Sequence, residues 1–97
     1  MKTIYKYPLM HTGFNYIEIP KEGQILSVGL DPHNSLCVWA LVDPDNEKID
    51  RKFYVAGTGW GIPDEVLADN HWTFLGTTLD QESNLIWHTF VEGNDLW

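Results

Sequence analysis

The stretch QILSVGL-DPHNS-LCVWALV, residues 24–42, reads as two strands joined by a turn. Gln24–Leu30 and Leu36–Val42 are short apolar runs with β-branched residues, and Asp31, Pro32, His33, Asn34 and Ser35 between them favour a turn. This is a hairpin pattern whose five-residue loop leaves the register open. LCVWALV is apolar throughout, so it is expected at the centre of a sheet, covered on both faces.

The pattern continues outward from this hairpin. Residues 3–9 set Tyr5, Tyr7 and Leu9 on one face and Ile4 and Lys6 on the other, with Pro8 marking a sheet edge or a strand end. MHTGF, residues 10–14, is the expected connection to a second strand at 16–19, which Pro20, Lys21, Glu22 and Gly23 close. After Leu36–Val42, a turn at Asp43, Pro44, Asp45 and Asn46 leads to a strand at 51–56. Residues 72–79 and 85–91 are the last two strands, joined by Asp80, Gln81, Glu82, Ser83 and Asn84. Pro63, Asp64 and Glu65 ahead of Val66 and Leu67 suit the first turn of a helix of at most two turns. The expected fold is mainly β: a single antiparallel sheet, a sandwich or a partly open barrel of about seven strands with one short helix.

Composition sets the bounds on this reading. Ninety-seven residues form one domain, 1–97, around one core, and five Trp, four Tyr and four Phe supply it. The polar end, residues 94–97, is expected to fray unless Leu96 and Trp97 dock. The single cysteine, Cys37, lies in an apolar run and is expected to be a buried thiol in a reducing compartment. The sequence carries neither a signal-peptide apolar segment near its start nor an apolar run of membrane-spanning length, so a soluble, cytosolic protein is expected.

The net charge of -8 is unevenly spread. All six basic residues lie in residues 1–52, whereas residues 53–97 contain Asp64, Glu65, Asp69, Asp80, Glu82, Glu92 and Asp95 without one Lys or Arg. Binding nucleic acid requires basic side chains to displace counterions from phosphates, so direct binding of DNA or RNA is not expected. A basic protein partner suits such a surface better.

No chemistry-bearing motif is complete. Gly57-Thr58-Gly59-Trp60-Gly61 lies where a phosphate-cradling loop would sit, between a strand and a helix, but it lacks the Lys-Ser/Thr of a Walker loop and the spacing of a dinucleotide site. Glycines that let the chain turn explain the same residues, with Trp60 either packed in or displayed. Asp43-x-Asp45-x-Glu47-x-x-Asp50 opens like a calcium loop, but Lys48 stands at the glycine position and Arg51 and Lys52 follow in place of a closing Glu. His11, His33, His71 and His88 show no ligand spacing, and His88 in mid-strand is expected to be a packed or hydrogen-bonded imidazole. Ser27, Ser35 and Ser83 lack a nucleophile elbow, and Cys37 is too enclosed for a reactive thiolate. Asp64 and Glu65 could do acid and base work only if a cleft held them. The expectation is a protein without catalysis, metal or cofactor.

Five segments, MKTIYKYPL, ILSVGL, CVWALVDP, GTGWGIPDE and LIWHTFVEG, together resemble a family of small, mostly uncharacterised proteins encoded by bacteriophages and prophages, over residues 1–93. The chain departs from that pattern at Trp60, where a His after GTG is common, and in its NDLW tail, so a role tied to that His does not carry over. The resemblance implies an accessory protein of the host bacterial cytoplasm. Combined with the acidity, it points to a host-defence inhibitor, anti-CRISPR or anti-restriction, that covers a basic nucleic-acid-binding surface of a host protein. Trp60, Asp64, Glu65, Asp69, Asp80 and Glu82 are the residues expected at that contact. One alternative is a nucleotide sponge using Gly57, Thr58 and Gly59 with Arg51 and Lys52, the one adjacent basic pair. Another is a homo-oligomer or virion-associated protein joined through exposed Tyr and Trp.

Overall fold

A computed structural model describes residues 1–68 and 71–93. The hairpin that opens the sequence reading is present. Strands β3 (Gln24–Leu30) and β4 (Leu36–Val42) pair antiparallel from Gln24 opposite Leu41 to Leu30 opposite Leu36, with a bulge between Ile25 and Ser27. Strand β1 (Thr3–Pro8) adds to the other side of β4, giving a three-stranded sheet of order β1-β4-β3. The remaining strands, β2 (Gly13–Pro20), β5 (Lys48–Gly57), β6 (Trp72–Asp80) and β7 (Leu85–Glu92), form a four-stranded antiparallel sheet of order β2-β5-β7-β6. The single sheet and the barrel are thereby set aside.

The two sheets bury their inner faces on each other. Ile25, Val38, Ala40 and Val42 from the three-stranded sheet meet Ile19, Phe53, Val55 and Val91 from the four-stranded one in a single cluster. Strand β4 is central, but it is covered fully on one face only: of the residues pointing outward, Cys37 is buried while Trp39 and Leu41 are half-buried. The Cys37 thiol donates to the Ser35 carbonyl at 3.3 Å. The helix is a single turn, α1 (Asp64–Leu67). Among the described residues no helix is long and apolar enough to cross a membrane.

Two strands begin earlier than the sequence suggests. β2 starts at Gly13 rather than Tyr16, because the Asn15 amide, almost wholly buried, closes the turn leading into it. Its Oδ1 accepts from the His11 amide at 3.1 Å, and its Nδ2 donates to the His11 and Gly13 carbonyls at 2.8 and 3.2 Å. β5 starts at Lys48 rather than Arg51, because Ile49 pairs with Ile19 and carries the ladder into the acidic run. At Asp43, the carboxylate accepts from the Asp45 amide at 3.0 Å and so caps the turn before β5.

Side-chain hydrogen bonds fix the hairpin loop. Asp31 accepts from Lys6 Nζ at 2.7 Å and from the His33 and Ser35 amides, each at 2.9 Å, joining the hairpin loop to β1. The Lys6 hydrogen bond first, then the backbone amides, hold the Asp31 carboxyl at about 2, below its ordinary 3.8. The unfolded chain therefore binds a proton at higher pH than the folded one. The stabilisation is complete above 3.8 and disappears as the pH falls through about 2. In thermal melts, the gap between the wild-type protein and Asp31→Asn is expected to close over that interval.

Thr89 lies wholly inside the core with its hydroxyl unpartnered. An unmet buried hydroxyl costs about 1–3 kcal/mol, and valine has nearly the same shape. Thr89→Val is expected to raise the unfolding free energy by about 1 kcal/mol in urea titrations, the reverse of the usual effect of a core substitution.

Candidate protein-binding face

Alternation along the four-stranded sheet decides what faces solvent. With Phe53, Val55, Thr89 and Val91 turned inward, Lys52, Tyr54, His88 and Phe90 must turn outward. Pairing then aligns them. Phe14 lies opposite Tyr54, Tyr54 opposite Phe90, and Phe90 opposite Phe74, so one row crossing all four strands is aromatic. Phe14 and Tyr54 meet edge to face at 4.7 Å between centroids, and Phe74 and Phe90 meet at 5.2 Å. On one side of this row stand Tyr16 opposite Lys52 and Trp72 opposite Glu92; on the other, Leu79 opposite Ile86. Tyr16 remains 64% exposed, Phe74 52% and Leu79 58%.

The chain covers only part of this face itself. Ala56 and Val66 are both buried yet lie outside the cluster between the sheets, and Glu65 of α1 reaches Lys52 at 3.6 Å. The Lys52 ammonium sits 4.7 Å from the Phe14 ring centroid, 5.7 Å from Tyr16 and 5.9 Å from Trp72. Partial desolvation, which opposes its charge, is outweighed by Tyr16, Glu65 and Glu92, and the Lys52 pKa is raised. At the rim, Glu18 and Asp50 are direct cross-strand partners. Two like charges so placed repel, and Lys48 and Lys52, which flank Asp50 on the same face of β5, offset part of that repulsion.

The glycine segment borders the same sheet. The Thr58 hydroxyl lies 2.7 Å from His88 Nε2 and the Thr77 hydroxyl 3.0 Å from Nδ1, so the imidazole is hydrogen-bonded at both nitrogens and ties residues 57–59 to β6 and β7. Trp60 folds back against Trp87, with ring centroids 5.7 Å apart, and half of it stays exposed. Gly57, Thr58, Trp60 and residues 84–87 line a shallow depression of about 200 Å³.

The residues expected at a protein contact do not gather in one patch. Glu65 belongs with Lys52, Trp72 and Glu92 at one end of β6 and β7, whereas Glu82 lies in the turn at the other end, some eight residues or roughly 25 Å along the strand. Trp60 lines its depression beside Asn84 and Leu85, at the Glu82 end. Asp64 is exposed on α1. Asp80 is 8% exposed, accepts from Asn34 Nδ2 at 3.0 Å and from the Ser83 amide at 3.3 Å, and its carboxyl is held below the ordinary range by Ser83 first and then Asn34. It is an internal tie between two loops. Asp69 lies outside the described residues.

The nucleotide-site residues do not converge either. Arg51 and Lys52 are adjacent on β5 and point to opposite faces, about 20 Å along the strand from Gly57. Arg51 donates to the Gly23 carbonyl at 3.2 Å, and Lys52 turns to the aromatic face. Sequence reasoning missed Phe14, Tyr16, Tyr54, Trp72, Phe74 and Phe90 as a group. Each shows outward alternation in its own strand, but only the strand order puts them in contact.

Fold and face together define a two-sheet β domain with an aromatic outer surface. The chain belongs to the family described as a domain of unknown function, DUF7352, which matches residues 1–96. No curated protein and no solved structure matches it.

Gly57 permits the close return of Trp60, since a Cβ there would stand 2.8 Å from the indole. The obstructing group is a half-exposed side chain that can swing away. Gly57→Ala is expected to leave the fold intact while shifting tryptophan emission to the red as Trp60 enters water; unchanged emission would show that the indole is not seated there.

Proposed function

We propose that this domain is a binding protein without catalysis that docks a basic surface of a partner protein on the outer face of its four-stranded sheet. The observation that carries the reading is the aromatic row Phe14, Tyr54, Phe90 and Phe74, of which Phe74 is exposed and the other three are half-buried, beside the exposed Tyr16 and Leu79. Rigid aromatic side chains supply contact area at small entropic cost, and they dominate the energetics of interfaces. Glu18, Asp50, Glu65 and Glu92 border them, so the complementary surface is positive.

Occlusion of a nucleic-acid-binding surface on a host complex is the biological form of this reading, and the sequence resemblance to phage proteins supports it. Such a surface already carries the positive charge that these carboxylates require.

Phe74→Ala with Leu79→Ala tests the face. Both side chains project outward from β6 and lie apart from Lys52. Capture from host lysate at low ionic strength is expected to recover a basic protein with the wild-type chain. The double variant, with its melting temperature unchanged, is expected to bind that protein at least tenfold more weakly, since loss of an interface anchor costs about 1–2 kcal/mol or more. Equal capture by both chains would overturn the proposal.

A further inference from the structure

The outer face contains a cage of three aromatic rings that already holds a cation. Phe14, Tyr16 and Trp72 surround the Lys52 ammonium, with Glu65 at 3.6 Å and Glu92 acting on the same charge. The fit is loose. Only Phe14, at 4.7 Å, is well inside the range at which a cation gains from a ring face, whereas Tyr16 and Trp72 at 5.7 and 5.9 Å are near its limit of about 6 Å. The Glu65 contact is also long beside the roughly 2.7–2.9 Å of a charge-assisted hydrogen bond. About a quarter of the Lys52 side chain, 24%, and 58% of Glu65 remain exposed, so the ammonium has an open way out to water.

We infer that this cage is the receptor for an arginine side chain of the partner, and that Lys52 occupies it in the partner's absence. The inference rests on the docking reading of the outer face. A guanidinium is flat, wider than an ammonium and less strongly hydrated, so it stacks on ring faces and presents several N–H donors to carboxylates. Those are the demands of a site with three rings and two carboxylates that a compact ammonium satisfies only in part. Lys52 prevents an empty acidic cage from taking up any small cation, and it leaves when a group arrives that meets the rings and carboxylates together.

The exchange is read by NMR and tryptophan fluorescence with a capped Gly-Arg-Gly peptide as probe and capped Gly-Gln-Gly as control. In the wild-type protein, ring currents should shift the Lys52 ε-methylene signals upfield, and the arginine peptide should return them toward free-lysine positions while changing Trp72 emission. Lys52→Thr, which suits a strand and empties the cage, is expected to bind the peptide about tenfold more tightly, the gain that follows if Lys52 fills the cage about nine-tenths of the time. Lys52→Arg is expected to fill the cage permanently, raise the melting temperature and abolish peptide binding. Lys52 signals that stay fixed while the peptide binds overturn the exchange, as does peptide binding by a folded Lys52→Thr chain no tighter than that of wild type. The docking face is judged separately by the Phe74 and Leu79 variants, so failure of one reading is distinguishable from failure of the other.

Discussion

The apolar cluster packed between the two sheets determines most of the structure. Val38, Ala40 and Val42 on one side and Phe53 and Val55 on the other are almost completely buried, and they lie at the centre of their sheets. A strand cannot shift by one residue without exposing its whole inward set. Once Phe53 and Val55 face in, Lys52 and Tyr54 face out, and the ladder fixes Tyr16, Phe14 and Phe90 beside them. The aromatic face is thus a consequence of core register together with the choice of aromatic residues at positions the core leaves free. That choice is not required by folding, since outward positions of an antiparallel sheet are ordinarily polar.

The acidic excess is divided among different tasks. Asp31, half-buried, and Asp80, buried, each accept several hydrogen bonds and tie a loop to another part of the chain. Glu65 makes a long, exposed ion pair from α1 to Lys52. Glu18 and Asp50, by contrast, oppose each other across β2 and β5 at a cost to pairing. Lys48 and Lys52, two residues either side of Asp50 on the same face of β5, offset part of that repulsion and leave the rim mixed in charge.

Strand positions were legible because the chain alternates residue types over short runs and breaks them with Gly, Pro, Asn and Asp. The hairpin of β3 and β4, the one-turn helix, the buried Cys37 and the hydrogen-bonded His88 all follow from local pattern. The early start of β2 did not, because Asn15 reads as a loop residue until its amide is seen to satisfy the turn that precedes it. Asp80 likewise reads as surface charge until Asn34, distant in sequence, is brought to it. The aromatic row was least legible of all. Its members come from four strands whose order, β2-β5-β7-β6, departs from their order in the chain.

Lys52 joins the two themes of core register and charge. It is placed outward by Phe53, its immediate neighbour, and is surrounded by rings contributed by β2 and β6, the two edge strands of the sheet. Phe14 and Trp72 come from opposite edges, yet their ring centroids approach to 6.1 Å, so the two side chains close on the ammonium from both edges of the sheet. The outer face is thus aromatic and acidic around a positive charge that the chain itself supplies. Filling such a site takes a group that satisfies rings and carboxylates together, and neither charge nor hydrophobicity alone does so.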